Sequence, residues 1–444
     1  MVHNYTAIYP LATFRMLFGI LIMYSTARFA SEGWIADHYV EPLFHFKYYG
    51  FAWVQALGSM GMHLVHLLLF GSALFVTLGL FYRWAAVVLF LTFTYTELID
   101  LTYYLNHYYF VSLVCFLLIL LPAHRAFSLD VRLKKVSYCN QVPAWTINSL
   151  KLMIAIVYIY AGLAKINTAW LIDAMPLKLW LAAHDKMPVL GGLFAWEYTP
   201  YLFSWFGMIY DTTIVFFLLY SPTRKLAFVS VVIFHALTGI LFQIGVFPLV
   251  MIATVTIFFD PNWHKKCLVW MATILDQTHL NYLQLKQKIV LPIQKQQQQA
   301  ILSLLLVFFC LQLLFPWRYK LYDSNIFWSE EGYRFSWRVM LMEKSGAATF
   351  YVQDGNTGRE GRVINSNFLN KHQEKQMAMQ PDMILQYAHF LGDYYQKQGI
   401  QNPKVRAKVY VTLNGAKSRL FFDEQLDLLQ IKDDWRKRWW INEY

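Results

Sequence analysis

Nine apolar stretches of this chain come near the length that crosses a membrane. They fall at about residues 10–30, 56–81, 84–100, 105–122, 147–167, 201–221, 226–243, 245–259 and 299–316. Roughly 20 apolar residues in a helix cross the hydrocarbon core of a bilayer, where the backbone must satisfy its own hydrogen bonds. The spacing therefore predicts a polytopic α-helical membrane protein. The run at 245–259 is short and reads either as a crossing or as a re-entrant segment, which gives eight or nine transmembrane helices. Composition agrees. Only 15% of the 444 residues are charged, against about a quarter in soluble domains, and 18% are aromatic. Trp and Tyr collect where chains meet membrane interfaces. The formal charge of +11 needs no nucleic acid, because cytoplasmic loops gather Lys and Arg.

The basic residues orient the spans. Arg83, the segment 125–135 with Arg125, Arg132, Lys134 and Lys135, the pair Arg224 and Lys225, and the segment 265–295 all fall in alternate loops. Those loops belong on one side, the cytoplasmic side of a cell membrane, with the N-terminus. The opposite loops carry little beyond Lys47, Lys178 and Lys186. No basic n-region precedes the first run and no clear small-residue cleavage site follows it, so it reads as a retained span. Four parts follow: a helical membrane domain at 1–260, a basic amphipathic or linking loop at 261–298, a last span at 299–316, and an extracytoplasmic β-rich α+β domain at 317–444. In that last part "FSWRVMLM" and "KVRAKVYVTLNG" alternate like strands, and "FYVQDGNTGREGRVI" reads as a hairpin. "PDMILQYAHFLGDYYQKQG" has helical spacing and a glycine to stop it. The cysteines, Cys115, Cys139, Cys267 and Cys310, have no CxxC spacing, which argues against a thiol redox site and a zinc site.

Ionisable residues inside spans are costly and are functional candidates by default. Lys165 ends the fifth run. Asn106 and His107 begin the fourth, Asp211 lies midway in the sixth, and His235 midway in the seventh. Glu97 and Asp100 end the third, and His63 and His66 share a face of the second. Each has a plain reading as well. Lys165 can reach for water at the interface. His63 and His66 can bond across helices; no third metal ligand stands at matching spacing, and no metal is expected. Asp211 can partner a buried cation, Asp100 can cap the turn into "LTYYLNH", and Arg15 can serve an ion pair or a headgroup.

Several motifs resemble one family in order along the chain. "IYAGLAKINTAWL" resembles the active-site lysine segment of the vitamin K-dependent gamma-glutamyl carboxylases, within the broader HTTM membrane superfamily. "ELIDLTYYLNHYYFVSL", "FHALTGILFQIGVFPLVMIA" and "EEGYRFSWRVMLM" resemble further segments of that family, as do "PDMILQYAHFL" and "FFDEQLDLLQ". The resemblance implies Lys165 as catalytic base and Asn106, His107 and His235 as active-site residues. It implies Tyr333, Ser336 and Trp337 as the substrate-glutamate region, with Asp100 and Asp211 in possible support. Two departures stand out. Arg338 and Met342 replace other residues of the vertebrate pattern, and no cysteine can join the membrane and external parts.

The implied reaction uses a reduced vitamin K or related quinol, oxygen, carbon dioxide and a glutamyl side chain of a peptide or protein. A lysine can start such chemistry only when neutral. Burial disfavours its ammonium form, and a nearby carboxylate favours it, so Glu97 and Asp100 should not touch Lys165. The quinol arrives from the lipid and the peptide from outside, so a site at the membrane boundary meets both. Epoxidation without protein carboxylation and non-enzymatic quinone binding are the alternative readings. A transporter is disfavoured, because no internal repeat is evident.

Overall fold

A chain that crosses lipid must close its backbone hydrogen bonds within each segment, and the computed structural model, which describes residues 4–242, 244–274 and 287–444, is dominated by helices in its first three hundred residues. In chain order these are α1 (Tyr9–Ser31), α2 (Gly58–Leu78), α3 (Tyr82–Ile99), α4 (Asn106–Leu120), α5 (Trp145–Ala164), α6 (Thr199–Leu219), α7 (Arg224–Leu241), α8 (Phe247–Val255), α9 (Pro261–Ile274) and α10 (Lys295–Leu314). Among the described residues six helices are long and apolar enough to span: α1, α2, α5, α6, α7 and α10 with its 3-10 extension to Leu321. The three runs that fall short, those of α3, α4 and α8, do so for physical reasons: α3 has 18 residues but carries Arg83 and Glu97 near its ends. The 15 residues of α4 rise about 22 Å, less than the roughly 30 Å of a hydrocarbon core. The nine residues of α8 reach less still. Bare apolar flanks remain on the outside, with Leu226 74% and Leu306 66% exposed, as lipid-facing surface demands.

The N-terminal strand Tyr5–Ala7 pairs antiparallel with Gln141–Pro143, and Gln141 bridges to Val290. The turn at Gly79–Tyr82 packs on Asp130, whose carboxylate accepts from the backbone of Phe81 and Tyr82 at 2.8 and 3.0 Å. One end of the bundle thus gathers the N-terminus and the loops near 80, 130, 140 and 290. Arg15 is wholly buried there, donating to the carbonyls of Ala123 and Phe127. The glutamine run after Lys295 is also not a link: it is the first turn of α10. Part of the loop expected at 261–298, residues 275–286, lies outside the described residues.

The other end carries the C-terminal domain. An antiparallel sheet runs in the order Glu360–Arg362, Lys344–Gln353, Lys404–Leu413, Arg419–Leu420. Val405, Ala407, Val409, Val411 and Leu413 alternate inward, pairing in register with residues such as Phe350 and Val352. The expected hairpin and the expected strand at 404–413 are both present. So is the expected helix, α12 (Pro381–Lys397), which follows α11 (Lys371–Met377) and buries Met383, Ile384, Tyr387 and Leu391 on the sheet. "FSWRVMLM" is not a strand. Residues 331–337 form consecutive turns, with positive φ at Gly332, Phe335 and Trp337 and again at Met340. Alternation alone does not make a strand when no neighbouring strand offers hydrogen bonds, and this segment spends its side chains on the bundle instead.

Candidate functional site

The sequence "AGLAK" positions its lysine through a missing side chain. A Cβ at Gly162 would lie 2.4 Å from the Thr212 hydroxyl and 2.6 Å from its backbone nitrogen, so only glycine lets α5 and α6 approach here. One turn later, Lys165 Nζ meets Asp211 Oδ2 at 2.7 Å and donates to the Ala161 carbonyl at 3.2 Å. Both side chains are over 90% buried. Trp170 lies over the ammonium, 5.5 Å from its ring centre, and its indole is anchored on the Ser204 carbonyl at 2.9 Å. Lys165 therefore does not reach for water. It touches neither Glu97 nor Asp100, but it does hold a carboxylate. The expectation for Glu97 and Asp100 holds, and the plain reading of Asp211 as partner to a buried cation is met by Lys165.

Two turns before Lys165 on the same face of α5, the Tyr158 hydroxyl bonds His235 Nε2 at 2.8 Å. His235 is 2% exposed, and its Nδ1 is buried without a partner. The His235 ring meets Phe247 edge-on at 5.5 Å, and the His107 ring lies 5.4 Å from the same Phe247 ring, so one phenylalanine contacts both histidines. Sequence reading found both histidines but missed Tyr158 and Phe247. The seven-residue spacing from Tyr158 to Lys165 was the available signal.

Asn106 and His107 face a cleft of about 920 Å³ between the helix ends and the C-terminal domain. Lys165, Asp211 and His235 do not line it. Asn106 is committed to structure: its amide donates to the Arg338 carbonyl at 3.0 Å and its oxygen accepts from Tyr104 at 3.0 Å. His107 makes no hydrogen bond among the described residues and presents its ring to the cleft. Tyr333 lines the same cleft. Ser336 and Trp337 do not. The Ser336 hydroxyl donates to the Tyr333 carbonyl and ties the turn. Trp337 is fully buried within the helical bundle's own core, stacked on Tyr109 at 5.0 Å. Tyr333, Phe335 and Trp337 share no strand face, because residues 331–337 form consecutive turns.

Around this wedge the two parts interlock. Gln373 donates to Asp100 at 2.7 Å, and Asp100 also caps the next turn by accepting from Thr102, as its plain reading held. Gln386 bonds both backbone groups of Lys47, and Phe46 is buried in the C-terminal domain's core. Arg334 binds Asp382 at 2.5 Å. Burial alone would raise the Asp382 carboxyl, but Arg334 and Arg438 hold it well below the usual carboxylate range. Non-covalent contacts do the joining: all four cysteines are free. A smaller chamber of about 220 Å³ adjoins the cleft, walled by the rings of Phe29, Tyr39, Phe93 and Tyr108, with Glu97 beside it. His66 is buried against Phe29, and His63 is exposed; each bonds only its own helix, at Met62 and Ser59. Among the described residues no cluster of His, Cys, Asp and Glu is arranged to hold a metal ion.

Residues 4–263 match the HTTM domain family, and residues 297–444 match the lumenal domain of vitamin K-dependent gamma-carboxylase. The chain belongs to the vitamin K-dependent gamma-glutamyl carboxylase family. No solved structure matches it. Membership makes this a multi-pass membrane protein of carboxylase-like type, and the family implies reduced vitamin K, oxygen and carbon dioxide with a glutamate-containing substrate. Both family domains contribute walls to the cleft, His107 from the first and Tyr333 from the second.

Proposed function

We propose that this chain is a membrane carboxylase that couples oxygenation of a reduced quinone to carboxylation of peptidyl glutamate. In balance, quinol, oxygen, carbon dioxide and a glutamyl carboxylate give quinone epoxide, water, carboxyglutamate and a proton. The observation that carries this reading is the buried Lys165–Asp211 pair, held beside Tyr158 and His235 at the bundle end that the C-terminal domain covers. Passing a proton from Lys165 to Asp211 would leave the net charge of the pair at zero and the amine neutral, and the pair would gain one positive charge only when that amine accepts the quinol's proton. That suits a site deep in low dielectric better than a lone ammonium. The aromatic walls of the small chamber fit a planar apolar ring; Lys165, Asp211 and His235 do not line that chamber, and the unpartnered ring nitrogen on His235 offers a hydrogen bond deeper in the bundle. The bound quinol would supply, with oxygen, the base strong enough to remove a glutamyl γ-hydrogen. His107 is placed to hydrogen-bond a reacting oxygen in the cleft, and Phe247 to keep water from passing inward. The reading carries eight or nine spans, a cytoplasmic N-terminus and an extracytoplasmic C-terminal domain, and the clustering of the basic loops at the far end supports that orientation.

The test is product analysis on purified protein in detergent, given a reduced quinone, oxygen and labelled bicarbonate. Epoxide and carboxyglutamate should rise together when a glutamyl peptide is added. Epoxide formation that ignores the peptide, with no label incorporated, would favour a quinol epoxidase. Neither product from folded protein would sink both readings.

A further inference from the structure

We propose that Arg338 is the anion-gripping residue of the cleft and holds a carboxylate of the glutamyl substrate. The proposal rests on the carboxylase reading above and deepens it.

The cationic side chains that line the cleft are not equivalent. Arg334 is paired with Asp382 at 2.5 Å, and Lys344 with Glu330 at 2.8 Å. Arg28 stacks over Trp34 at 5.2 Å, and Lys375 is exposed to water. Arg338 is 8% exposed, has no carboxylate within ion-pair distance among the described residues, and keeps its Nε buried without a hydrogen-bond partner. The two cleft acids that could reach it are engaged elsewhere: Glu330 by Lys344, and Glu343 by the Trp180 indole at 2.7 Å. A buried, unpaired guanidinium is costly, so a fold that retains one is poised for an anion.

Its mounting suits that role. The guanidinium lies over the Tyr319 ring, 4.4 Å from the centre, and also hydrogen-bonds the Tyr319 side chain; of its five N–H donors, those not used there can fork onto one carboxylate. Its backbone is fixed by Asn106 and by the buried indole of Trp337 one residue earlier. The positive-φ turns that broke the expected strand are what place residue 338 at the cleft wall. A carboxylate is the anion whose chemistry the family's substrate offers. When the γ-carbon loses its proton, the electron pair spreads onto the carboxylate oxygens, and a guanidinium already bonded there offsets the second negative charge.

The experiment is titration calorimetry of the full-length protein in uncharged detergent. The probes are a short glutamyl peptide, its glutaminyl counterpart, and phosphatidylglycerol. Wild type should bind the glutamyl form more tightly. Arg338→Gln should lose about ten- to hundredfold in that affinity and the preference over glutamine with it. Arg338→Lys should regain part of the loss, since it restores charge without the fork. In turnover the same variants should raise KM for peptide. Because binding needs no turnover, a catalytically silent wild type that still discriminates the peptides supports Arg338 while refuting the reaction. Unchanged discrimination in folded Arg338→Gln overturns the proposal. So does a loss confined to phosphatidylglycerol, which would assign Arg338 to a lipid headgroup.

Discussion

Two electrostatic demands oppose each other at Lys165. To accept a proton its amine must be uncharged, yet it sits 2.7 Å from the Asp211 carboxylate as the partner in an ion pair. Lys165→Arg keeps the charge and the partner, but arginine stays protonated at any working pH, its pKa being above about 12. Quinol epoxidation should fall by at least about a hundredfold, the usual scale of a lost proton acceptor. Lys165→Ala abandons a buried carboxylate, a fault that costs about 3–5 kcal/mol, so it should be studied together with Asp211→Asn. A small exogenous amine should return part of the rate to Lys165→Ala and none to His107→Ala. A Lys165→Arg enzyme running at near wild-type rate, with its fold intact by thermal melting, would reduce the lysine to a structural cation.

Among the elements, the seam between the bundle and the C-terminal domain is stitched partly by histidines. His38, in the short helix Trp34–Tyr39, stacks on Tyr103 at 3.9 Å, and His372 at the start of α11 stacks on Tyr103 at 4.6 Å. Burial, then the proximity of His372, lowers His38 from 6.5 to about 4, and burial lowers His372 as well. A histidine whose folded pKa lies below its unfolded value binds fewer protons in the native state. Its contribution to stability is complete above pH 6.5 and is lost as pH falls toward about 4. The loss per group is at most about 1.4 kcal/mol for each pH unit in that window. Proteolysis of the C-terminal domain should therefore accelerate between pH 6.5 and pH 4, and His38→Phe should flatten that rise. A cleavage rate constant across the window would show that the stack does not hold the seam.

At the scale of the whole molecule, one end gathers the N-terminus and the basic loops and the other carries the sheet domain. If the basic end faces the cytoplasm, single cysteines introduced at Lys134 and Tyr444 in a cysteine-free background should label from opposite sides. In intact cells an impermeant reagent should reach only the position at Tyr444. Labelling of both from one side would overturn the span count and, with it, the position assigned to the site. The shared cleft also explains why the two family domains occupy one chain. On the carboxylase reading, a lipid-soluble co-substrate and a water-soluble peptide would meet where the helix ends and the C-terminal domain form a common wall.

Local properties of the chain were legible from the sequence. Hydropathy is summed residue by residue, so the apolar runs marked the helices, although α4 and α8 proved shorter than their runs. Period-two alternation marked the strand at 404–413, and helical spacing with Gly399 marked α12. The rarity of charge inside lipid singled out Lys165, Asp211 and His235 before any fold was known. Pairwise geometry was not legible. That Lys165 meets Asp211 depends on how closely α5 and α6 pack at Gly162, and a hydropathy pattern carries no distance between helices. The strand expected at 335–342 does not form because alternation is blind to partners about 230 residues away: Tyr104 and Tyr109 hold Phe335 and Trp337 across the seam. Arg338 followed the same rule. Its charge was visible in the sequence, but whether a carboxylate lay beside it was decided by the tertiary structure alone, because ion pairing is a property of positions in space.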